Sequence, residues 1–327
     1  MKKHKKLIIL SILILIFILS LYGGLFCGYK DFGTHLFVKL FNLSTDPDSI
    51  ILEFLRVPRV IKGIVAGSCL ALSGMFLQAT SKNPLAEPYI TGISSGAGLG
   101  MVFSILCLNS LNYSFFGFLG ALITSLLVII FSGFSRFSIT KLILIGLSMN
   151  IFVSSIITLL ILTNADKAYI LTLILSGGFS NSEIISNKTL ILLFIIALIL
   201  SALLIPKLNL LRLDKELLSL SDKKMKLYTI LIIITASYVA SLSVFAAGIL
   251  GFIGIIVPQI SKMLIGQDFR WIFFANILLG SSFLLVADLI SRIIIYPLQM
   301  PLGLMVSLIG APIFVYFLTK KGDIFSD

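Results

Sequence analysis

The sequence predicts an all-α integral membrane protein of about ten transmembrane helices. Three observations predict it. The chain is 58% hydrophobic and only 12% charged, whereas soluble domains carry about 25% charged residues. Its apolar residues fall in long Ile/Leu-rich runs, several of them near the roughly 20 residues that a crossing helix needs. The net charge of +11 is clustered, with Lys2, Lys3, Lys5 and Lys6 at the N-terminus and Lys207, Arg212, Lys215, Lys223, Lys224 and Lys226 in one loop. That clustering is what the positive-inside rule produces, and it does not require a nucleic-acid partner.

The spans can be taken in order. A basic start followed by an apolar run imitates a signal peptide, but no small-residue cleavage site follows. Leu7 to Phe26 therefore reads as a retained first span. Gly28 to Arg56 is too polar to cross. The second span is Pro58 to Ala79, with Pro58 in the first turn, where its missing N–H costs nothing. The third is Tyr89 to Leu108, the fourth Phe115 to Phe134 and the fifth Leu142 to Leu162. Within Thr163 to Ser186 the apolar patch Tyr169 to Leu175 is too short to cross and fits a re-entrant or surface helix. The sixth span is Leu190 to Ile205, stopped by Pro206. A polar loop of about 207–226 separates it from the seventh, Leu227 to Ala247. The eighth, Ile249 to Ile265, is short and interrupted by Pro258. Trp271 to Ile290 and Leu302 to Leu318 complete the ten. This count puts both termini in the cytoplasm, as the distribution of basic residues requires. The 327 residues read as a single transmembrane domain.

The stretch Asn83 to Gly100, NPLAEPYITGISSGAGLG, stands apart from an ordinary span. Pro84 and Pro88 frame a short polar elbow that holds Glu87. Gly92, Gly96 and Gly100 then recur every four residues, so on a helix they stack on one face and let a neighbouring backbone approach closely.

Several chemistries are missing. There is no G-x-x-x-x-G-K-[ST] sequence to cradle ATP phosphates, no C-x-x-C, and no catalytic Ser, His and Asp arrangement. Both histidines lie outside the spans, and Asp288 is the single acid placed well inside one. Proton-coupled carriers and metal channels rely on buried ionisable side chains, so the pattern argues against both, and against an enzyme, a metal site or a cofactor. Asn150, Ser154 and Thr158 recur every four residues on the fifth span. They read either as the wall of a translocation path or as interhelical hydrogen-bonding groups. Asp288 and Arg292 have the acid-before-base i,i+4 order of a helical ion pair. Arg56 and Arg59 flank Pro58 at a helix N-terminus. Cations are unfavourable there, and the placement also runs against the positive-inside bias, so a partner surface or snorkelling to lipid headgroups is needed to account for them.

These residues fall into blocks: RVPR at Arg56 to Arg59, ALSG at Ala71 to Gly74, NPLAEP at Asn83 to Pro88 and GISSGAGLG at Gly92 to Gly100. GFIGIIVPQISKMLIG at Gly251 to Gly266, ADLISR at Ala287 to Arg292 and PLGLMVSLIGAPIFVYFL at Pro301 to Leu318 follow. In this order, over nearly the whole chain, they resemble the FecCD-type permease subunit of type II ABC importers for iron–siderophores, haem and vitamin B12. The resemblance implies ten helices, with spans two to five and seven to ten as an inverted repeat. It implies a second permease subunit, two separate ATPase subunits and an extracytoplasmic substrate-binding protein, in the cytoplasmic membrane of a bacterium. It places binding-protein docking at Arg56, Arg59 and Arg292. It places ATPase coupling in the loop that holds Leu210, Leu213, Asp214, Lys215, Leu217, Leu220 and Ser221. The chain departs from the family pattern at Asp214-Lys215, where a Gly-Glu pair is common, at Ser221, where Gly is common, and at Gln259, where His is frequent. The implied cargo is an iron chelate, siderophore or haem, with cobalamin the alternative. A stand-alone secondary transporter and a membrane assembly subunit are the rivals from other classes.

Leu210, Leu213, Leu217 and Leu220 form an apolar face at helical spacing, the kind that lies in a partner's groove. Leu213→Asp or Leu217→Asp is expected to abolish transport and ATPase co-purification while membrane insertion, followed by fractionation, stays at the parental level.

Overall fold

The computed structural model describes residues 3–27, 51–108, 112–133, 138–179, 187–211, 222–295 and 298–320. All regular elements among them are helical. The first helix, α1 (Lys3–Phe26), is followed by a π-helical turn (Ile51–Arg56) that runs directly into α2 (Val57–Ser81). A 3-10 turn (Pro88–Thr91) leads to α3 (Ile93–Cys107), α4 (Tyr113–Phe131) and α5 (Ile139–Thr163). Then come the short α6 (Ala168–Leu175), α7 (Asn187–Leu211), α8 (Asp222–Ala247), α9 (Ile253–Ile265), α10 (Phe269–Ile293) and α11 (Leu302–Lys320). Among the described residues, seven helices are long and apolar enough to cross a membrane, and three apolar helices, α3, α9 and α11, are shorter. The chain is a multi-pass membrane protein.

The bundle is built around α2, which packs against α7, α8, α9 and α10. Between α2 and its neighbours the contact is backbone to backbone. A Cβ on Gly67 would overlap the Gly280 carbonyl of α10, and one on Gly280 would overlap the Gly67 carbonyl. A Cβ on Gly74 would overlap the Gly254 carbonyl of α9. Lipid gives apolar helices no hydrophobic reason to associate, so close approach through small residues supplies the attraction. Hydroxyls reinforce it: Ser73 Oγ donates to the Ala236 carbonyl of α8 at 2.7 Å, and the Ser68 and Ser281 hydroxyls lie 3.0 Å apart. The α2 and α8 spans are consequently 89% and 83% buried, whereas α1, α5 and α7 lie at the periphery, near 20%.

Four boundaries differ from the sequence reading. Pro206 does not stop the sixth span, because α7 continues through it to Leu211. Proline takes the donor from the Ala202 carbonyl and crowds it, but buried Ile205 and Leu208 hold the helix on the core. Lys207, Leu208 and Leu210 are thus helical, and α8 begins at Asp222, so only 212–221 of the predicted loop falls outside these two helices. That segment, with Leu213, Asp214, Lys215, Leu217, Leu220 and Ser221, lies outside the described residues. Likewise α9 continues through Pro258 but starts only at Ile253, leaving Ile249 to Phe252 non-helical. Finally, Gly92 precedes α3, yet it packs on α4 as Gly96 and Gly100 do, with Thr124 Oγ1 donating to its carbonyl at 3.1 Å. It has φ 83° and forms the left-handed entry to the helix, a conformation that glycine adopts without a Cβ clash. Gly96 and Gly100 form the helical part of the face: their Cβ positions would overlap the Gly120 and Phe116 carbonyls of α4.

The patch Tyr169 to Leu175 is a short helix, α6, and Leu171 is its buried residue. It ends at Leu175, and the backbone that follows is tied to α11, with Leu302 N donating to the Gly177 carbonyl and Gly303 N to the Ser176 carbonyl.

Valine at Gly67 or Gly96 is expected to destabilise the bundle by about 3 kcal/mol, the upper range for overpacking, since the obstacle is the Gly280 carbonyl at the first site and the Thr124 hydroxyl with the Gly120 carbonyl at the second. Ala202→Val, at an exposed position of α7, should be near neutral. Thermal unfolding and monodisperse yield of the detergent-purified chain measure the difference.

Candidate functional site

The first polar constellation gathers where α1 ends, α2 begins and α10 ends. Asp288 is buried, and Arg59 reaches it from 229 residues away in sequence, with Nε 2.9 Å and Nη2 2.8 Å from Oδ1. Arg292 Nε lies 3.2 Å from the other carboxylate oxygen. Arg59 also donates through Nη1 to the Gln299 side-chain carbonyl at 3.1 Å and stacks over the Phe179 ring. Two further bonds reach α1. Arg56 Nη1 donates to the Leu25 carbonyl at 2.7 Å, and Arg292 Nη2 to the Gly24 carbonyl at 3.3 Å. The last carbonyls of a helix lack intrahelical donors, so these arginines serve as C-terminal caps for α1. The sequence spacing shows the Asp288–Arg292 pair. It does not show Arg59, though a lone buried acid signals that a further cation is near.

The second constellation is the α5 stripe, which the structure divides. Asn150 turns inward: its Nδ2 donates to the Tyr89 carbonyl at 2.8 Å, and its Oδ1 accepts from Ser95 Oγ at 2.7 Å. Ser154 and Thr158 are exposed. With Asn150, Ile151 and Ser155 they line an open groove of ≈ 380 Å³. The buried residues of α5, Leu142, Gly146, Val153 and Ile157, face the bundle instead.

The third is the elbow, and here sequence reasoning missed the partners. Lys82 ends α2 in the left-handed conformation, and Asn83 Oδ1 accepts the Leu85 N–H at 2.9 Å. Glu87 Oε1 accepts the Phe252 N–H at 3.0 Å, and the Tyr89 hydroxyl accepts the Leu250 N–H at 2.7 Å. Burial raises the Glu87 carboxyl above the usual carboxylate range, and the Phe252 N–H partly offsets this. Beside the elbow, Pro258 has no N–H to give the Gly254 carbonyl one turn back. Gln78 Nε2 supplies the missing donor at 3.1 Å. The Gln78 carbonyl accepts in turn from Gln259 Nε2 at 2.8 Å and Lys262 Nζ at 3.2 Å. Gln259, one of the departures from the family pattern, also donates to the Pro84 carbonyl at 3.1 Å. The sequence cue for this network was Pro258 itself, which frees a carbonyl in a setting without water. Among the described residues no three His, Cys, Asp or Glu side chains come together as a metal site would need.

Against this geometry, a family model described as the FecCD transport family matches residues 11–320. The Fe(3+)-citrate import system permease protein YfmD of Bacillus subtilis (strain 168) is 30% identical over 324 residues, 98% of this chain and 97% of that one. The "Probable heme-iron transport system permease protein IsdF" of Staphylococcus aureus (strain Newman) is 32% identical over 329 residues, 98% of each. A solved transporter assigned to the metal-chelate ABC type, in an inward-facing conformation, superposes with a TM-score of 0.81 at 26% identity. The match covers 96% of this chain and 99% of that one.

Asp288→Asn is expected to destabilise the chain by about 3 kcal/mol, since it leaves two arginines with a neutral partner in a largely buried setting. Arg59 retains some solvent contact, with 22% of its side chain exposed, so Arg59→Gln should cost less. Thermal unfolding in detergent at fixed pH ranks the two.

Proposed function

The chain belongs to the FecCD transport family, and on that premise we propose that it is the transmembrane permease subunit of an ATP-driven importer that carries an iron chelate into a bacterial cell. Its full-length similarity to permeases named for iron citrate and for haem supports this cargo class. The structural observation that carries the reading is the divided stripe of α5. Ser154 and Thr158 present hydroxyls on a membrane-crossing helix, on the side turned away from the chain's own bundle. Thr158 Oγ1 donates to the Ser154 carbonyl at 2.9 Å, and the acceptor capacity that these hydroxyls retain suits a water-filled cavity or another protein surface. A second permease subunit, alike or different, facing α5 across a central path fits that description. Ser154 and Thr158 then line the path, and Asn150 anchors its wall.

Reading the three short apolar helices as spans beside the seven long ones gives ten, and the helix inventory supports that reading. The two halves share an order. A long, deeply buried helix (α2, α8) is followed by a short one (α3, α9) entered through a left-handed residue, Gly92 or Phe252. This supports reading spans two to five and seven to ten as an inverted repeat. With the basic N-terminus in the cytoplasm, the 207–226 region faces the two ATPase subunits, which supply the catalytic chemistry that this single-domain chain lacks. The Asp288 end then faces outward, to a substrate-binding protein. Arg56, Arg59 and Arg292 act there within a prepared cluster in which a carboxylate of the partner can exchange with or add to Asp288. No metal ligand or cofactor of the chain is needed, because the iron arrives already chelated.

Deleting the chain's gene is expected to abolish uptake of radiolabelled iron(III) citrate or of hemin, each supplied separately, and re-expression should restore it. Uptake should survive collapse of the proton gradient and fail when cellular ATP is depleted. The opposite pattern would make the chain a secondary transporter. In a variant lacking native cysteines, Ser154→Cys and Thr158→Cys should react with a polar thiol reagent, whereas protection under all conditions would place the stripe in a packed interface.

A further inference from the structure

Non-helical backbone inside a membrane protein persists only where its N–H and C=O groups find partners. Residues 248–252 form such a stretch. Gly248 and Phe252 have φ 73° and 65°, and α9 begins only at Ile253. The stretch does not sit at the rim of the bundle. Gly254, just beyond it, lies against Gly74, about 25 Å along α2 from its start at about 1.5 Å per residue. Two N–H groups of this stretch are met by side chains from the other half of the chain, Leu250 by the Tyr89 hydroxyl at 2.7 Å and Phe252 by Glu87 at 3.0 Å.

Tyr89 is engaged at both ends. Its main-chain carbonyl accepts from Asn150 of α5 at 2.8 Å, and Asn150 is braced by Ser95 of α3 at 2.7 Å. Its hydroxyl, at the far end of a rigid ring, accepts from Leu250. An aromatic side chain has two rotatable angles, and both are fixed when the backbone and the hydroxyl are held. We propose that Tyr89 is a positioning residue that couples α5 to the non-helical stretch 248–252 and so to α9. A displacement of α5 is thereby passed to the second half of the chain. Glu87 holds the same stretch one turn further on, and its contact requires an acceptor but not a charge. The functional consequence rests on the reading of α5 as the wall of the path, while the coupling itself rests on these bonds.

The test uses the full chain in reconstituted bilayers, with Cys27, Cys69 and Cys107 replaced by alanine. Spin labels are placed on α5 at Leu147 and on α9 at Leu264, both exposed, and the distance distribution between them is measured by pulsed electron spin resonance. Tyr89→Phe removes the acceptor of Leu250 and keeps the ring. It is expected to shift the ratio of the distance populations about tenfold, within the usual range of coupling between sites. Asn150→Leu, which releases the other end, should give a similar shift, and the double variant should add little. Glu87→Gln keeps an acceptor for Phe252 and should match the parent. Tyr238→Phe is the control for loss of a hydroxyl alone, because that hydroxyl donates to the Leu193 carbonyl at 3.2 Å outside the bridge. It too should match the parent. A parental distribution in both Tyr89→Phe and Asn150→Leu would overturn the coupling, as would equal shifts in Tyr89→Phe and Tyr238→Phe. Thiol labelling at Ser154→Cys judges the path separately, so failure of that reading is distinguishable from failure of the bridge.

Discussion

Backbone contact through glycine sets the terms for the rest of this bundle. Where Gly67 meets Gly280 and Gly74 meets Gly254, α2 lies against α10 and α9 with no side chain between them. In lipid this is a main source of helix attraction, because apolar side chains gain little by leaving hydrocarbon for protein. The close approach also fixes register along α2, and the polar pairs then fall into place at intervals. Arg59 meets Asp288 near the start of α2, Ser68 meets Ser281 within it, and Gln78 meets Gly254 and Gln259 near its end. An extra methyl at Gly67 would displace α10 and with it the geometry of the Asp288 cluster.

Several interior polar side chains serve backbone before they serve chemistry. Gln78 restores a donor that Pro258 removes, Glu87 and Tyr89 satisfy a non-helical stretch, and Arg56 and Arg292 cap the last turn of α1. This follows from the absence of water inside a membrane protein, where an unmet N–H or C=O costs several kcal/mol. Broken and kinked helices are therefore stabilised by specific side chains, each of which ties two elements together. A transporter gains from such joints, since rigid pieces connected at a few defined points can rock without melting.

The groove on α5 fits the same logic from the other side. A peripheral helix buries Leu142, Gly146, Val153 and Ile157 against its own chain and leaves Ser154 and Thr158 outward. Among the described residues the Thr158 hydroxyl meets only the Ser154 carbonyl of its own helix, at 2.9 Å. On the proposed reading, a second subunit and a hydrated path lie opposite Ser154 and Thr158.

The sequence by itself determined the membrane class, the approximate span positions, the proline-framed elbow and the family. These are written in local properties: apolar run length, charge placement and contiguous blocks such as NPLAEP and ADLISR. It also placed the glycine face at Gly96 and Gly100 and the i,i+4 order of Asp288 and Arg292. Only the tertiary structure decided the rest. It made Gly92 the left-handed entry to α3, carried α7 through Pro206, and split the Asn150, Ser154 and Thr158 stripe between an anchor and an open groove. It brought Arg59 onto Asp288 and the elbow onto residues 250–252. The physical reason is the same in each case. A proline, a lone acid or a spare hydroxyl states a need for a partner, but many residues could meet that need, and which one does depends on helices far apart in sequence settling at backbone contact.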